Sequence, residues 1–201
     1  MRSRRLRYLR RAELPVDTVD LARYLIGKVV IHETRSGRLS GRIVETEAYP
    51  IGDAAAHSYR GQTPRNGSMF LPRGHAYVYF VYGSSFMLNV SSELPGVGGG
   101  VLLRAIEPHD GIDLMQRLRG TSRRLDLTRG PGRLAEAMAV DLSQDGLDLC
   151  SAGPLRLAVG AERDWPIGRS VRIGLTRATD RVLRFYERES EFVSGPKALR
   201  E

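Results

Sequence analysis

Short apolar runs of strand length, punctuated by turn residues, recur along this chain. Lys28–Thr34 and Arg38–Tyr49 read as two strands joined at Arg35-Ser36-Gly37, a hairpin signal. Ala76–Tyr82 and Phe86–Ser91 form a second pair about Gly83-Ser84-Ser85. Gly100–Ile106 returns as a buried strand after the flexible turn from Pro95 to Gly100, and shorter strands follow near Leu155–Val159, Ser170–Leu175 and Leu183–Tyr186. Helical spacing marks a segment capped by Asp17 or Thr18, running to Leu25 and closed by Gly27. It recurs at Gly111–Leu118 and Arg133–Met138. Residues 50–75, rich in Gly, Pro, Asn, Ser and Arg, read as a long functional loop. Hairpins outnumber βαβ units, so the expected fold is α+β, a single domain with a curved, largely antiparallel β-sheet flanked by helices.

Several residues break this pattern, and each break poses a chemical question. Strict alternation puts Glu45, Glu47 and Tyr49 on one face with Ile43, so carboxylates stand where apolar residues belong. A solvated edge strand explains that as well as a pocket does. Arg104 interrupts Val101-Leu102-Leu103-Arg104-Ala105-Ile106, and a buried guanidinium requires a carboxylate or phosphate. Glu47 or Glu45 is its natural partner. Asn89, inside Phe86-Met87-Leu88-Asn89-Val90, is either a satisfied core amide or a pocket contact. Tyr77 and Tyr79 share one strand face. Phe80 reads as core, while tyrosine hydroxyls suit pocket walls and wet interfaces.

Composition narrows the class. The 201 residues, 41% hydrophobic, suit one domain with a real core. No apolar run approaches the roughly 20 residues of a membrane span, and no apolar signal core follows the basic start. A single cysteine, Cys150, excludes an internal disulfide and argues against a cysteine-based metal site. No cofactor or metal is called for, and no phosphate-binding glycine fingerprint follows a strand. Six arginines at positions 2, 4, 5, 7, 10 and 11 supply most of the net charge of +8. Residues 1–12 therefore read as a basic, flexible tail and 13–201 as the domain, and the tail either tracks DNA or is a solvated arm. A soluble, cytoplasmic monomer is the default expectation.

The order and spacing of these features resemble the alkyladenine (3-methyladenine) DNA glycosylase family. The resemblance is carried by Ile43-Val-Glu-Thr-Glu-Ala-Tyr49, Ala55-Ala-His57-Ser58, Gln62-Thr-Pro-Arg-Asn-Gly-Ser-Met-Phe70 and Ala76-Tyr-Val-Tyr-Phe-Val-Tyr-Gly83. It continues through Met87-Leu-Asn-Val-Ser-Ser92, Val101-Leu-Leu-Arg-Ala-Ile-Glu-Pro108, Arg129-Gly-Pro-Gly-Arg-Leu134, Leu183-Arg-Phe-Tyr186 and Phe192-Val-Ser194. Gly96–Gly100 looks slightly longer than the family's loop, and the arginine-rich tail lies outside the match.

The resemblance implies a fold similar to the formyltransferase C-terminal domain and excision of damaged purines from double-stranded DNA. It assigns Glu47, rather than Glu45, as the base that activates water, with Arg104 orienting it. Tyr49, His57, Tyr79 and Asn89 would hold the flipped base, Tyr82 would be the wedge in the minor groove, and the Val193 carbonyl would help to hold the water. Arg65, Gly130, Gly132 and Arg133 would touch the DNA backbone, the glycines through amides at a helix start. Neither Lys28 nor Lys197 falls in the motif cluster, so a Schiff base, and with it strand cleavage, is not expected. The rival reading is a nucleic-acid-binding protein that stacks bases and performs no chemistry.

Overall fold

The computed structural model describes residues 7–81, 83–161 and 163–200. Its strands are β1 (Val29–Thr34), β2 (Gly37–Tyr49), β3 (Ala76–Val81), β4 (Ser85–Ser91), β5 (Gly100–Pro108), β6 (Leu155–Ala158), β7 (Ile167–Ser170) and β8 (Arg184–Glu187). They form one sheet in the order β3-β4-β5-β2-β1-β6, with β8 joining β2 and β7 joining β8, and each pairing is antiparallel. The long β2 is the spine. One edge pairs with β5 from Gly41 to Tyr49; the other pairs with β1 up to Arg42 and with β8 from Glu45 to Glu47. The sheet therefore forks where the carboxylates begin.

Helices α1 (Thr18–Leu25), α2 (Ile112–Arg119) and α3 (Pro131–Ala137) cover one face. The Asp17 side chain caps α1 by accepting from the amides of Val19 at 2.8 Å and Asp20 at 2.9 Å, and Gly27 leaves the helix at φ +83°. Leu21 and Leu25 of α1, Met115 of α2 and Leu134 of α3 meet Val90, Leu103 and Ile106 of the sheet in the main core. Each such side chain contributes roughly 1.5–3 kcal/mol through burial, enough to dock helices too short to stand alone.

The sheet departs from strict alternation at the position that matters most. Ile43 pairs with Ile106 and Thr46 with Leu103, and the register slips between them. Ile43, Leu103 and Ile106 all belong to the main core, and the Thr46 hydroxyl donates to the Ala22 carbonyl of α1 at 2.9 Å. Two consecutive residues on each strand, Val44-Glu45 and Arg104-Ala105, are thus displaced from that core. Val44 and Ala105 pack with Phe192, while Glu45 and Arg104 pair with each other. Ile43 consequently faces away from the carboxylates, contrary to the expectation from alternation.

Three further differences have local causes. Phe80 is 42% exposed rather than core, because it lies near the end of β3, the outermost strand; it packs instead on Phe86, 4.9 Å away. The strand expected at Ser170–Leu175 ends at Ser170, since residues beyond it leave the sheet to contact side chains of β2. Residues 7–12 pack on the domain: Leu9 is fully buried, Tyr8 bridges to Ala158, and Arg11 pairs with Asp148 at 2.6 Å. Residues 1–6 of the arginine-rich stretch lie outside the described residues.

Candidate active site

Glu47 and Glu45 are both fully buried, and their surroundings separate their roles. One Glu47 oxygen, Oε1, accepts from the Ile173 amide at 2.7 Å and lies 3.2 Å from Arg104 Nη1. The other, Oε2, accepts from the Tyr49 hydroxyl at 2.9 Å. Glu47 also borders a cleft of about 230 Å3 with Tyr49, Tyr79, Arg104, Pro131 and Leu175. The carboxylate is thus held at a cavity wall by one cation and two hydrogen-bond donors, with a lone pair left on Oε2.

Glu45 does not line that cleft. Its Oε1 meets Arg104 Nε at 2.9 Å, Arg184 Nε at 2.7 Å and the Ser194 hydroxyl at 3.0 Å, while Oε2 accepts from the Ser194 amide at 2.6 Å. Burial pushes the Glu45 carboxyl up, but the Arg104 and Arg184 guanidiniums and the Ser194 amide outweigh it and hold the group below the usual carboxylate range. Arg104 is likewise pulled down by burial and raised on balance by Glu47 and Glu45. Its single guanidinium bridges both carboxylates, so the two alternatives left open by the sequence are both realised.

This fixes a pH dependence. A carboxylate lowered in the folded state stabilises it above the unfolded value of about 4.3, and that stabilisation disappears as pH falls through the folded value. Thermal unfolding between pH 7 and pH 3 should therefore show stability falling on acidification. Glu45→Gln, which strands Arg184, should be less stable at pH 7 by about 3–5 kcal/mol and should lose less on acidification. Parallel pH curves for the two proteins would contradict this account.

Tyr49, Ala55, His57, Met69, Tyr77, Tyr79, Val81, Asn89 and Leu175 enclose a second cavity of about 140 Å3. Tyr49, Tyr79, Val81 and Leu175 line both cavities, which places the aromatic chamber directly beside Glu47. The His57 and Tyr79 ring centroids are 4.5 Å apart at 70°, and Tyr77 lies 5.4 Å from Tyr79. His57 Nδ1 and the Tyr77 hydroxyl are 2.8 Å apart. Burial, with help from the Arg65 cation, lowers the His57 pKa and favours a neutral imidazole. Burial and the Glu47 charge raise the Tyr49 phenol, which therefore stays protonated as the donor to Glu47. The Asn89 amide is buried and donates to the Tyr77 carbonyl at 3.1 Å, fixing its orientation at the cavity wall.

The residues expected to meet a DNA backbone are more dispersed. Arg65 is exposed near the end of β3, donating to the Phe80 carbonyl at 3.3 Å. Gly130 has φ +123° and gives its amide to the Arg104 carbonyl at 3.1 Å, so that donor is already engaged. A Cβ on Gly132 would come within 3.0 Å of Ser85 Oγ, which explains glycine there by the close packing of α3 on β4. Arg133 is half-exposed and lies 3.2 Å from Asp126. The Val193 carbonyl accepts from Arg129 at 3.3 Å. Tyr82 lies outside the described residues.

Sequence reasoning gave no role to Arg184 or to the Ile173 amide, two groups that hold the carboxylates. Arg184 carried the same signal as Arg104, a guanidinium within an apolar strand run. The Ile173 amide carried none, because any residue except proline supplies it. Among the described residues no group of three or more His, Cys, Asp or Glu could hold a metal ion, and no helix is long and apolar enough to cross a membrane.

Comparison with known proteins bears on this arrangement directly. The family model for methylpurine-DNA glycosylase (MPG) matches residues 12–191, which include the carboxylates, Arg104 and every residue of the aromatic chamber. The chain belongs to that family. A protein of Mesorhizobium japonicum is 62% identical over 95% of this chain and 92% of its own length. One from Paraburkholderia phytofirmans is 53% identical over 95% and 90%, and one from the archaeon Methanoculleus marisnigri 45% identical over 89% and 94%. The names of all three carry the words 3-methyladenine DNA glycosylase. Family membership makes this chain a DNA glycosylase, a hydrolytic DNA-repair enzyme whose substrate is DNA. The glycosylase match ends just before Val193 and Ser194, the segment that closes over Glu45.

Proposed function

We propose that this glycosylase flips an alkylated or deaminated purine out of duplex DNA into the aromatic chamber and hydrolyses its N-glycosidic bond with a water activated by Glu47. The observation that carries this reading is the position of the Glu47 carboxylate, held by Arg104, Ile173 and Tyr49 at the wall of a cleft that shares Tyr49 and Tyr79 with the chamber.

A base inside a duplex is out of reach of any enzyme group, so it must leave the stack. Tyr82 is the proposed wedge that fills the gap and opposes return, offsetting an unstacking cost of about a few kcal/mol. The flipped purine stacks on Tyr49, with His57 and Tyr79 on its other face. Positively charged alkylpurines gain roughly 0.5–2 kcal/mol from such aromatic faces, and a neutral His57 adds no repulsion. Asn89, oriented by the Tyr77 carbonyl, would crowd the 2-amino group of an undamaged guanine.

The sugar carbon then develops positive charge as the base departs. Glu47 stabilises that charge and takes a proton from the attacking water through the remaining lone pair of Oε2, the role of the base in inverting glycosidases. Arg104 keeps the carboxylate aimed, and the Val193 carbonyl is the proposed second anchor for the water. Neither Lys28, whose ammonium lies 4.4 Å over the Tyr24 ring, nor Lys197 lines either cavity, which supports hydrolysis without strand cleavage.

Duplexes carrying 3-methyladenine, hypoxanthine or 1,N6-ethenoadenine test this reading. The expected result is release of a free base, with strand breaks appearing only after alkali. Intact bases in all three duplexes would overturn the assignment, and breaks without alkali would overturn the monofunctional mechanism.

A further inference from the structure

Behind the aromatic wall lies an enclosed ion pair that the reaction above does not use. The Arg172 guanidinium is 2.6 Å from the Asp53 carboxylate, and both side chains are 0% exposed. Arg172 also donates to the Ala48 carbonyl at 2.9 Å, and its Cζ lies 4.6 Å from the centre of the Tyr49 ring. Tyr49 lines both cavities and Arg172 lines neither, so the guanidinium sits on the protein side of the ring. Asp53 makes two further contacts. Its Oδ1 accepts from the Ala55 amide at 2.9 Å, in the loop that carries His57, and its Oδ2 lies 3.2 Å from the half-exposed Arg181.

A purine stacked on the open face of Tyr49 would lie roughly 9 Å from that guanidinium, one stacking distance of about 4.5 Å beyond the ring. Two positive charges at that range, with protein between them, repel appreciably, whereas a neutral base feels little. The guanidinium also draws on the same π system that a cationic base would use. Left unpaired, Arg172 would turn the chamber against charged alkylpurines and spare neutral ones. We propose that Asp53 is a specificity-determining residue: by neutralising Arg172 behind Tyr49, it keeps the chamber receptive to positively charged purines. This rests on the reading of the chamber as the seat of the flipped base.

The test compares single-turnover excision of cationic 7-methylguanine and neutral 1,N6-ethenoadenine from otherwise identical duplexes, expressed as a ratio. Duplex affinities supply the same ratio where one base leaves too slowly to time. Asp53→Asn keeps the side-chain shape and an acceptor for Ala55 but leaves Arg172 charged, and it should lower the cationic-to-neutral ratio by about tenfold. Adding Arg172→Gln removes the second charge and should return the ratio close to that of the wild type. Arg172→Gln alone leaves the Asp53 anion, shared only with Arg181, and should raise the ratio modestly. An unchanged ratio in Asp53→Asn, or a ratio still low in the double variant, overturns the proposal. If Asp53→Asn does not fold, Arg172→Gln decides: a ratio at or below that of the wild type overturns it. A wild type that neither binds nor excises either lesion overturns the functional reading instead, and this proposal with it.

Discussion

Glu47→Gln should lower single-turnover excision by at least about 10³-fold while leaving affinity for lesion duplexes within a few-fold of the wild type. The size follows from two losses at one atom pair. Removing a general base typically costs 10²–10⁴-fold, and removing a charge aimed at a developing cation in a dry site costs a comparable factor. Glutamine has nearly the same volume and keeps an acceptor for the Ile173 amide, now 2.7 Å from Oε1. Arg104 is not stranded by the change, because Glu45 remains 2.9 Å from its Nε. The variant should therefore fold, with a melting temperature within a few degrees of the wild type, and should still stack a purine against Tyr49 and Tyr79. Excision timed alongside binding separates the cases. Near-normal excision by a folded Glu47→Gln protein would remove Glu47 from the chemistry, whereas lost binding would mean that the change had damaged the chamber.

Arg104→Met should be the most damaging single change to the buried network in both stability and rate. The methionine roughly fills the space but provides no charge, so Glu47 is left fully buried with only the Ile173 amide and the Tyr49 hydroxyl. Glu45 fares better, since Arg184 Nε stays 2.7 Å away. Breaking a buried ion pair from one side costs about 3–5 kcal/mol, which in a domain of this size lowers the melting temperature by about 6–20 °C. Excision should fall by at least about 10²-fold, because the carboxylate loses the cation that aims it. Urea unfolding checks the first number and single-turnover kinetics the second. Arg104→Met combined with Glu47→Gln supplies a further test: with the stranded charge gone, the double variant should recover part of the lost stability. A double variant whose losses simply add would show that Arg104 and Glu47 are not coupled.

Much of this site could be read from residues alone, and the reasons are physical. A carboxylate or guanidinium in a strand-like apolar run is costly unless paired or solvated, so Glu45, Glu47 and Arg104 stood out as positions in need of partners, and the family resemblance then chose among them. The tyrosines at 77 and 79, two apart on a strand, had to share a face, and they do so across the chamber from Tyr49. Hairpin punctuation at Arg35-Ser36-Gly37 and Gly83-Ser84-Ser85 was enough to expect antiparallel pairing, because turn chemistry is local.

Long-range relations were not legible in this way. That Arg104 reaches both carboxylates depended on a register slip shared by β2 and β5, a property of two strands some sixty residues apart that neither encodes separately. The same slip sent Ile43 to the helix side and defeated strict alternation. The third donor to Glu47 is a backbone amide from residue 173, and the cation behind Tyr49 comes from residue 172, within a stretch whose apolar pattern had read as a strand. Spacing and turn residues thus determined the class of fold and the side chains that needed partners, while the family resemblance supplied the chemistry. The different surroundings of Glu45 and Glu47 came only with folding, since they depend on which partners, far away in the chain, arrive at each carboxylate.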